Sequence, residues 1–325
     1  MKIFITGGAG YVGSVLTPAL LREGYSVKVF DLMIYGSDVI KAHPNLKIIK
    51  GDIRNANLLD KHLGDIDILI HLACISNDPS FELNPNLGKS INLDSFEPLV
   101  KLSIKKKVKR FIYASSSSVY GLKSENNVHE KMSLEPLTDY SKYKAQCEKI
   151  LSKYSSKSFV TTILRPATVC GYSPRQRLDV VVNILTNLAF HKREISIFGG
   201  SQFRPNIHIE DMVNSYLYLI KAPPNLINNE IFNVGFENKT VFELANLVKE
   251  NIGEDVNLKT VPTDDNRSYH ISSEKIRKIL NFEPQFKISN AIIDLRKAFE
   301  KKLLPNSLND KKYFNIHTMK NINLK

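Results

Sequence analysis

Met1-Lys2-Ile3-Phe4-Ile5-Thr6-Gly7-Gly8-Ala9-Gly10-Tyr11-Val12-Gly13 reads as a short buried strand that runs at once into a glycine turn and a helix start. Gly8, Gly10 and Gly13 satisfy G-x-G-x-x-G, and Gly7, Gly10 and Gly13 satisfy the related G-x-x-G-x-x-G. One glycine lets the backbone turn with positive φ, the next leaves room for a phosphate against the main chain, and Gly13 lets helix and strand pack closely. Phosphate then meets the unpaired N–H groups of the first helical turn, where the helix dipole favours negative charge.

The surroundings give this fingerprint its weight. Residues 2–6 form a β-type run, and Val12, Val15, Leu16, Ala19 and Leu20 recur at helical spacing. A second β run, Val27 to Phe30, ends in Asp31, about where an acid that binds a ribose 2′-hydroxyl is expected. Such an acid repels a 2′-phosphate, so NAD is expected over NADP. The plainer alternative is an ordinary strand–helix turn with Asp31 as a solvated strand end.

A chain of 325 residues, 42% hydrophobic and 24% charged, suits a globular protein of one large or two modest domains. No run approaches 18 apolar residues, and the first strand begins directly at Met1, so neither a membrane span nor a signal peptide is expected. Cys74, Cys147 and Cys170 are scattered and odd in number, which suits reduced thiols in a cytoplasm, and no zinc spacing is present. The net charge of +12 is compatible with nucleic acid or with polyanionic small ligands. Its densest clusters, Lys105 to Arg110 and the tail 301–325, lack interleaved aromatics or glycine repeats, so no nucleic-acid partner is expected.

Strands and helices alternate through the first half: strands Leu46–Lys50, Ile66–Leu72, Phe111–Ser115 and Phe159–Leu164, helices within 86–106 and 139–154. That alternation predicts an α/β fold, a doubly wound parallel sheet covered by helices on both faces, its strands continuously apolar. Beyond Pro166 we expect helices at 179–191, 209–221, 240–251 and 288–302 and strands Ile195–Phe198 and Ile231–Val234, a smaller C-terminal region roofing ligands at the strand ends. The expected division is 1–170 for the dinucleotide-binding domain and 171–325 mainly for substrate, with some segments returning to the sheet.

Tyr140 and Lys144 lie four apart in a predicted helix, on one face. Of 13 tyrosines only Tyr140 has a lysine four residues on. A tyrosine can take a proton from a sugar hydroxyl only if its pKa falls from about 10 toward neutrality, and a nearby ammonium together with the positive nicotinamide of an oxidised cofactor favours the phenolate. The cluster Ser115-Ser116-Ser117-Ser118-Val119-Tyr120-Gly121 follows the strand from Phe111, so its hydroxyls belong at a C-terminal strand end.

With these residues the chain resembles the extended short-chain dehydrogenase/reductase family, in its nucleotide-sugar epimerase and dehydratase branch. The matching pieces are Thr6–Gly13, Gly51-Asp52-Ile53-Arg54, His71-Leu72-Ala73, Ser115–Gly121, Tyr140–Lys144, Leu164-Arg165-Pro166, Phe203–His208 and Asn233-Val234-Gly235. The resemblance implies a Rossmann fold over the first domain and an NAD site made by Gly7, Gly10, Tyr11, Val12, Gly13, Asp31, Asp52, Ile53, Leu72, Ala73, Lys144 and Pro166. It implies Tyr140 as base, Ser116 as its partner on the substrate hydroxyl, and Ser117 as a neighbour in that cluster. Asn183 is expected to orient a sugar diphosphate, and Arg204 and Arg267 to clamp it with their guanidinium forks. For both arginines a solvent-facing charge is the alternative. Arg175 and Arg177 receive no role, and His71, His208 and His270 read as structural. A homodimer through the helices near 86–106 and 139–154 is implied, although packing on the sheet explains their apolar positions equally.

Dehydratases of this family carry an Asp-Glu pair, or at least a Glu, where this chain has Ser117 and Ser118, because eliminating water needs a carboxylate acid or base. The expectation is therefore an NAD-dependent 4-epimerase acting through a transient 4-keto nucleotide sugar, in surface polysaccharide or sugar-nucleotide metabolism. Ser173-Pro174-Arg175-Gln176-Arg177-Leu178-Asp179 equally resembles a segment of nucleotide-sugar oxidoreductases, which leaves a 4-dehydrogenase or 4-ketoreductase as the alternative. A different class, a dinucleotide sensor or RNA-associated protein on the same fold, would account for the high charge but not for the retained Tyr–Lys pair.

Overall fold

A computed structural model of the chain describes every residue except Ser37, Ser124, Asn126, Asp264, Asp265, Asn266, Arg267, Tyr269, Asn323 and Lys325. Its strands, in chain order, are β1 (Lys2–Thr6), β2 (Ser26–Asp31), β3 (Leu46–Lys50), β4 (Ile68–His71), β5 (Arg110–Ala114), β6 (Val160–Pro166), β7 (Thr168–Cys170), β8 (Glu194–Phe198), β9 (Phe203–His208), β10 (Glu230–Val234), β11 (Glu237–Thr240) and β12 (Asn257–Val261).

Seven of these form one parallel sheet in the order β10-β6-β5-β4-β1-β2-β3. β1 pairs on one side with β2 (Ile3 opposite Val27) and on the other with β4 (Ile3 opposite Ile68). The chain therefore winds outward from β1 to β3, then returns to wind the other way from β4. At such a reversal the connections diverge and leave a crevice beyond the strand ends. This is the Rossmann arrangement expected from the alternating elements.

Strand periodicity sorts the core into two layers. Ile3, Ile5, Val27, Val29, Ile68, Ile70, Ile112 and Leu164 join the helices Gly13–Arg22 and Ile209–Lys221 on one face. Phe4, Phe30, Leu69, Phe111, Tyr113 and Ile163 face Phe96–Lys105 and Asp139–Lys153 on the other. Both faces being covered, the strands are apolar at consecutive positions, as expected of a parallel sheet.

The helix expected within 86–106 is broken into Pro85–Lys89, a π turn at Ser90–Asp94 and Phe96–Lys105. The widened turn presents the buried amide of Asn92, whose Oδ1 accepts from Ile75 N (2.8 Å) and whose Nδ2 donates to Ile75 O (3.0 Å). It thereby holds the loop that follows β4.

In the second half, β7, β9 and β11 form a small sheet and β8 pairs with β12. The helices Val181–Lys192, Val241–Ile252 and Ile288–Glu300 enclose a third core around Leu185, Leu244 and Ile292. Strand β9 carries Pro205, which one expects to disfavour a strand. Its register with β7 begins one residue later, at Asn206, so the missing N–H falls outside that ladder.

Part of the basic cluster is engaged within the protein, in surface ion pairs and in one buried arginine. Lys106 reaches Asp60 at 2.9 Å and Lys109 reaches Asp67 at 2.8 Å. Arg110 is buried and donates to the carbonyls of Leu219, Ile220 and Ala222, capping the C-terminal end of Ile209–Lys221. Among the described residues no helix is long and apolar enough to cross a membrane.

Candidate active site

A cavity of about 350 Å³ opens at the C-terminal ends of the central strands, with walls from both halves of the chain. Its floor is the glycine turn. Gly7 has φ +77°, and a Cβ there would stand 2.5 Å from the backbone nitrogen of Ala73, so the turn tolerates no side chain. A Cβ on Gly13 would meet Gly7 O at 2.5 Å, which is why the helix can begin so close to the strand. Gly10 differs, because a Cβ there would meet only Gly7 O, at 3.2 Å. The N–H groups of Tyr11, Val12 and Gly13, all wall residues, donate to no acceptor among the described residues. An open glycine face beside three unpaired donors at a helix N-terminus suits a diphosphate.

Asp31 ends β2 inside the wall, its Oδ2 accepting from Ala9 N (3.0 Å) and Oδ1 from Met33 N (2.8 Å). Burial pushes its carboxyl up, and these two bonds oppose the shift. Each oxygen keeps a lone pair for a hydroxyl donor. Ile53, Leu72, Ala73 and Pro166 also line the cavity. Asp52 does not: its carboxylate is turned to Arg54, 2.6 Å away, and only its neighbours Gly51 and Ile53 reach the wall. Burial raises the Asp52 carboxyl, but the Arg54 bonds outweigh it and hold the group low.

Helix Asp139–Lys153 starts at a capping box, Thr138 Oγ1 accepting from Ser141 N (3.3 Å) and Ser141 Oγ from Thr138 N (3.1 Å). This fixes Tyr140 in the first turn and Lys144 one turn deeper, both in the cavity wall. Lys144 is 4% exposed, donates to Ala114 O at 2.7 Å, and lies 5.8 Å from the Tyr140 ring centre. Ser116 caps the short turn Ser117–Tyr120, its Oγ accepting from Ser118 N at 3.1 Å, and shares the wall with Tyr140. Ser117 is buried in the same wall.

The protein groups alone do not supply the lowered tyrosine pKa expected from the ammonium together with an oxidised nicotinamide. Burial pushes the Tyr140 phenol well above its usual range, and Cys74 and Asp78 add to the shift. The opposing influences are Arg177 and the Ser116 hydroxyl, while the Lys144 ammonium is held by the Ala114 carbonyl. The chain's own groups leave this tyrosine protonated.

Behind the serines lies a buried polar network. Ser115 Oγ donates to Glu148, Glu148 pairs with Arg165, Arg165 donates to the Tyr120 hydroxyl (2.8 Å), and Tyr120 donates to Asn233 Oδ1 (2.7 Å). His71, at the end of β4, shares a 2.7 Å bond with Thr6 Oγ1. Burial, then the Lys144 charge, push it down to about 3, so it is neutral.

Of the substrate residues expected from sequence, Ser116 lies in this wall and Asn183 and Arg204 do not. Asn183 is fully buried and engaged elsewhere, donating to the Tyr11 hydroxyl (2.9 Å) and Arg177 O (2.8 Å) and accepting from Gly171 N (3.0 Å). It ties the glycine turn to the second half instead of facing a ligand. Arg204 lies on β9 outside the wall, donating to Phe203 O at 3.1 Å. Arg267 lies outside the described residues.

In their place the structure brings two arginines that the sequence left without a role. Arg177 Nε donates to Asp179 at 2.8 Å, and Arg175 stacks 3.5 Å above the Tyr35 ring; both arginines line the cavity. The wall is completed by the C-terminal segment, expected only as a basic tail. Asn315, Met319 and Leu324 line the cavity, and helix Asn315–Asn321 is anchored by Asn315 to Ser76, Arg175 and Asp179. Among the described lining residues Asp31 is the one carboxylate. No group of three or more His, Cys, Asp or Glu side chains able to hold a metal occurs among the described residues.

Comparison with known proteins adds an independent line. A sequence profile of the NAD dependent epimerase/dehydratase family matches residues 3–235. The uncharacterized protein y4nG of Sinorhizobium fredii is 31% identical over 261 residues, which cover 79% of this chain but 62% of that one. The UDP-glucose 4-epimerase of Thermotoga maritima, solved with UDP-glucose, superposes with a TM-score of 0.85 at 26% identity, covering 93% of this chain and 100% of that one. The UDP-glucuronic acid 4-epimerase of Bacillus cereus, solved with UDP-glucuronic acid and NAD, gives 0.83 at 25% identity over 93% and 100%.

Proposed function

Because this chain belongs to the NAD-dependent epimerase/dehydratase family, we propose that it is a nucleotide-sugar 4-epimerase, interconverting sugars through a transient 4-keto form. NAD, when bound, supplies a hydride acceptor and donor, and its positive ring favours a phenolate next to it. The rest falls to the chain. The glycine turn and the three free N–H groups take the diphosphate, and Asp31 takes the adenosine ribose. Tyr140 Oη accepts the proton of the sugar hydroxyl once the cofactor's charge offsets the burial that holds it protonated. Ser116, in the same wall as that phenol, aligns the hydroxyl, and Ser117 shapes the pocket beside it. Lys144, anchored on Ala114, is placed to hold the nicotinamide ribose. Arg204, and Arg267 with it, belong to the substrate's diphosphate in this scheme.

The observation that carries the choice of epimerase over dehydratase is the acid content of the wall. Eliminating water across two sugar carbons needs a carboxylate beside the tyrosine. The one carboxylate among the described lining residues, Asp31, lies at the end of β2 with two backbone donors on it. Around Tyr140 the wall offers hydroxyls, a thiol and the cations Lys144 and Arg177, while the nearby Asp78 lies outside the wall and accepts from Thr138 Oγ1 at 2.6 Å. That set supports removing and restoring the hydroxyl proton at one carbon. A homodimer through the helices near 86–106 and 139–154 belongs to the same proposal, and sedimentation equilibrium tests it.

The deciding experiment incubates purified protein with UDP-, GDP-, CDP- and dTDP-sugars and follows each by NMR, with and without added NAD or NADH. Interconversion of C4 epimers without net NADH supports the proposal. A keto sugar accumulating with stoichiometric NADH, or a keto substrate consumed with NADH, replaces it with a one-way dehydrogenase or reductase.

A further inference from the structure

We propose that Arg175 is a binding residue for the cofactor's diphosphate, delivered by the second half of the chain and latched over the cavity by Tyr35 and Asn315. It rests on the NAD reading of the cavity, not on the sugar chemistry.

Arg175 is 4% exposed and lines the cavity, an unusual place for a cation with no carboxylate bonded to it. Its three described partners come from three distant parts of the sequence. The guanidinium lies 3.5 Å over the ring of Tyr35, on the loop after β2. One terminal nitrogen donates to Asn315 Oδ1, at the start of the C-terminal helix. Its backbone N–H donates to Ser14 Oγ (3.3 Å), in the first turn of the helix that follows the glycine loop. The guanidinium is thus held by Tyr35 and Asn315, and its backbone by Ser14. Yet its Nε is buried without a hydrogen-bond partner. A buried N–H of a charged group left unmatched costs more than a neutral one, so it is expected where a ligand completes it. Burial pushes this guanidinium down to about 10, with Tyr35, Asp179 and Asp31 opposing the shift.

An anion fits that vacancy, and the diphosphate cradle at Gly10–Gly13 adjoins Ser14, to which the Arg175 backbone N–H donates. Asp31 argues against a 2′-phosphate in the same space, because two anions would then face each other. The closure also has a consequence for coenzyme exchange. Tyr35, Arg175 and Asn315 form a strap across the cavity from three parts of the chain, and Asn315 is tied further to Ser76 (2.9 Å) and Asp179 (2.9 Å). A cofactor beneath it leaves only when the strap opens, which suits an enzyme that regenerates its coenzyme within each turnover.

The test uses the full chain and reads binding, not turnover. Bound NAD is chased with isotope-labelled NAD, and calorimetry on stripped protein compares ADP, 2′-AMP and adenosine. Arg175→Gln is expected to speed NAD exchange and weaken ADP by about tenfold to a hundredfold while leaving adenosine unchanged. Asn315→Ala is expected to speed exchange with a smaller effect on ADP. Should Arg175→Gln fail to fold, Arg175→Lys keeps the charge without the planar fork and is expected to show an intermediate loss. Unchanged ADP affinity, or an equal loss for adenosine and ADP, makes Arg175 a packing residue and overturns the proposal. A selective loss for 2′-AMP overturns the assignment to the diphosphate. Absence of sugar turnover leaves these readouts untouched.

Discussion

Glu148 and Arg165 form an ion pair 2.6 Å long, sealed directly behind the serine cluster with 4% and 3% of their side chains exposed. Glu148 stands one helical turn beyond Lys144, which stands one turn beyond Tyr140, so the three share a face of helix Asp139–Lys153. The carboxylate also accepts from Ser115, the first residue of the loop that bears Ser116. Breaking a buried pair leaves the partner charge unmatched, at a cost of about 3–5 kcal/mol. Glu148→Ala is therefore expected to lose about that much stability, read as a lower urea midpoint with an unchanged slope. A loss below about 1 kcal/mol would show that water reaches Arg165 and that the network does not brace the site.

Tyr140→Phe removes the phenol hydroxyl from the wall it shares with Ser116 while leaving the ring beside Phe81 (6.5 Å between centres). Removing the acid–base group is expected to cut kcat by about a hundredfold to ten-thousandfold. The melting temperature and the NAD content of the purified protein should stay as in the parent. NMR turnover assays beside a thermal melt check both halves, and retained activity would remove Tyr140 from the chemistry.

The sheet and its glycine turn were legible because their signals are local: β-type runs at Lys2–Thr6 and Leu46–Lys50, the glycine spacing, and helical periodicity through Asp139–Lys153. The elements missed are those whose formation depends on distant partners. Strand β9 contains Pro205 and exists because β7 and β11 flank it. Helix Asn315–Asn321 is seven residues long with no apolar stripe, and forms where Asn315 finds Ser76, Arg175 and Asp179. At the site, Tyr140, Lys144 and Ser116 lie within one motif-bearing region. Arg175 and Arg177 gave no signal beyond the Ser173–Asp179 resemblance, because what makes them notable is burial. Asn183 shows the converse: a motif position whose amide is taken up by Tyr11, Gly171 and Arg177.

Gly7 and Gly10 separate strain from ligand access. Gly7→Ala must hold φ +77° with a methyl 2.5 Å from Ala73 N, so a loss of stability is expected, on the order of 1–3 kcal/mol. Gly10→Ala meets only Gly7 O at 3.2 Å and should fold nearly as well, but its methyl occupies the approach to the free N–H groups. NAD binding should weaken in both variants and melting temperature fall chiefly in the first. Equal melting curves and equal NAD affinity for Gly10→Ala and the parent would refute the diphosphate placement.

His71 sets an acid limit on the fold. Burial, then the Lys144 charge, hold it near 3, below the value of about 6.5 for an unfolded histidine, so the unfolded chain binds the proton first. A depressed folded pKa means the contribution is complete above about 6.5 and is lost as pH falls toward 3. Between pH 7 and 5 that single residue is expected to remove about 2 kcal/mol of stability. Carboxylates in their usual range contribute little there, which isolates the histidines. Urea midpoints of the parent and of His71→Gln, which keeps a partner for Thr6 Oγ1, should diverge in slope across that interval, the variant being flatter. Parallel profiles would mean that His71 takes up its proton in the folded state and that the pocket around Thr6, Phe96 and Tyr113 admits a charge.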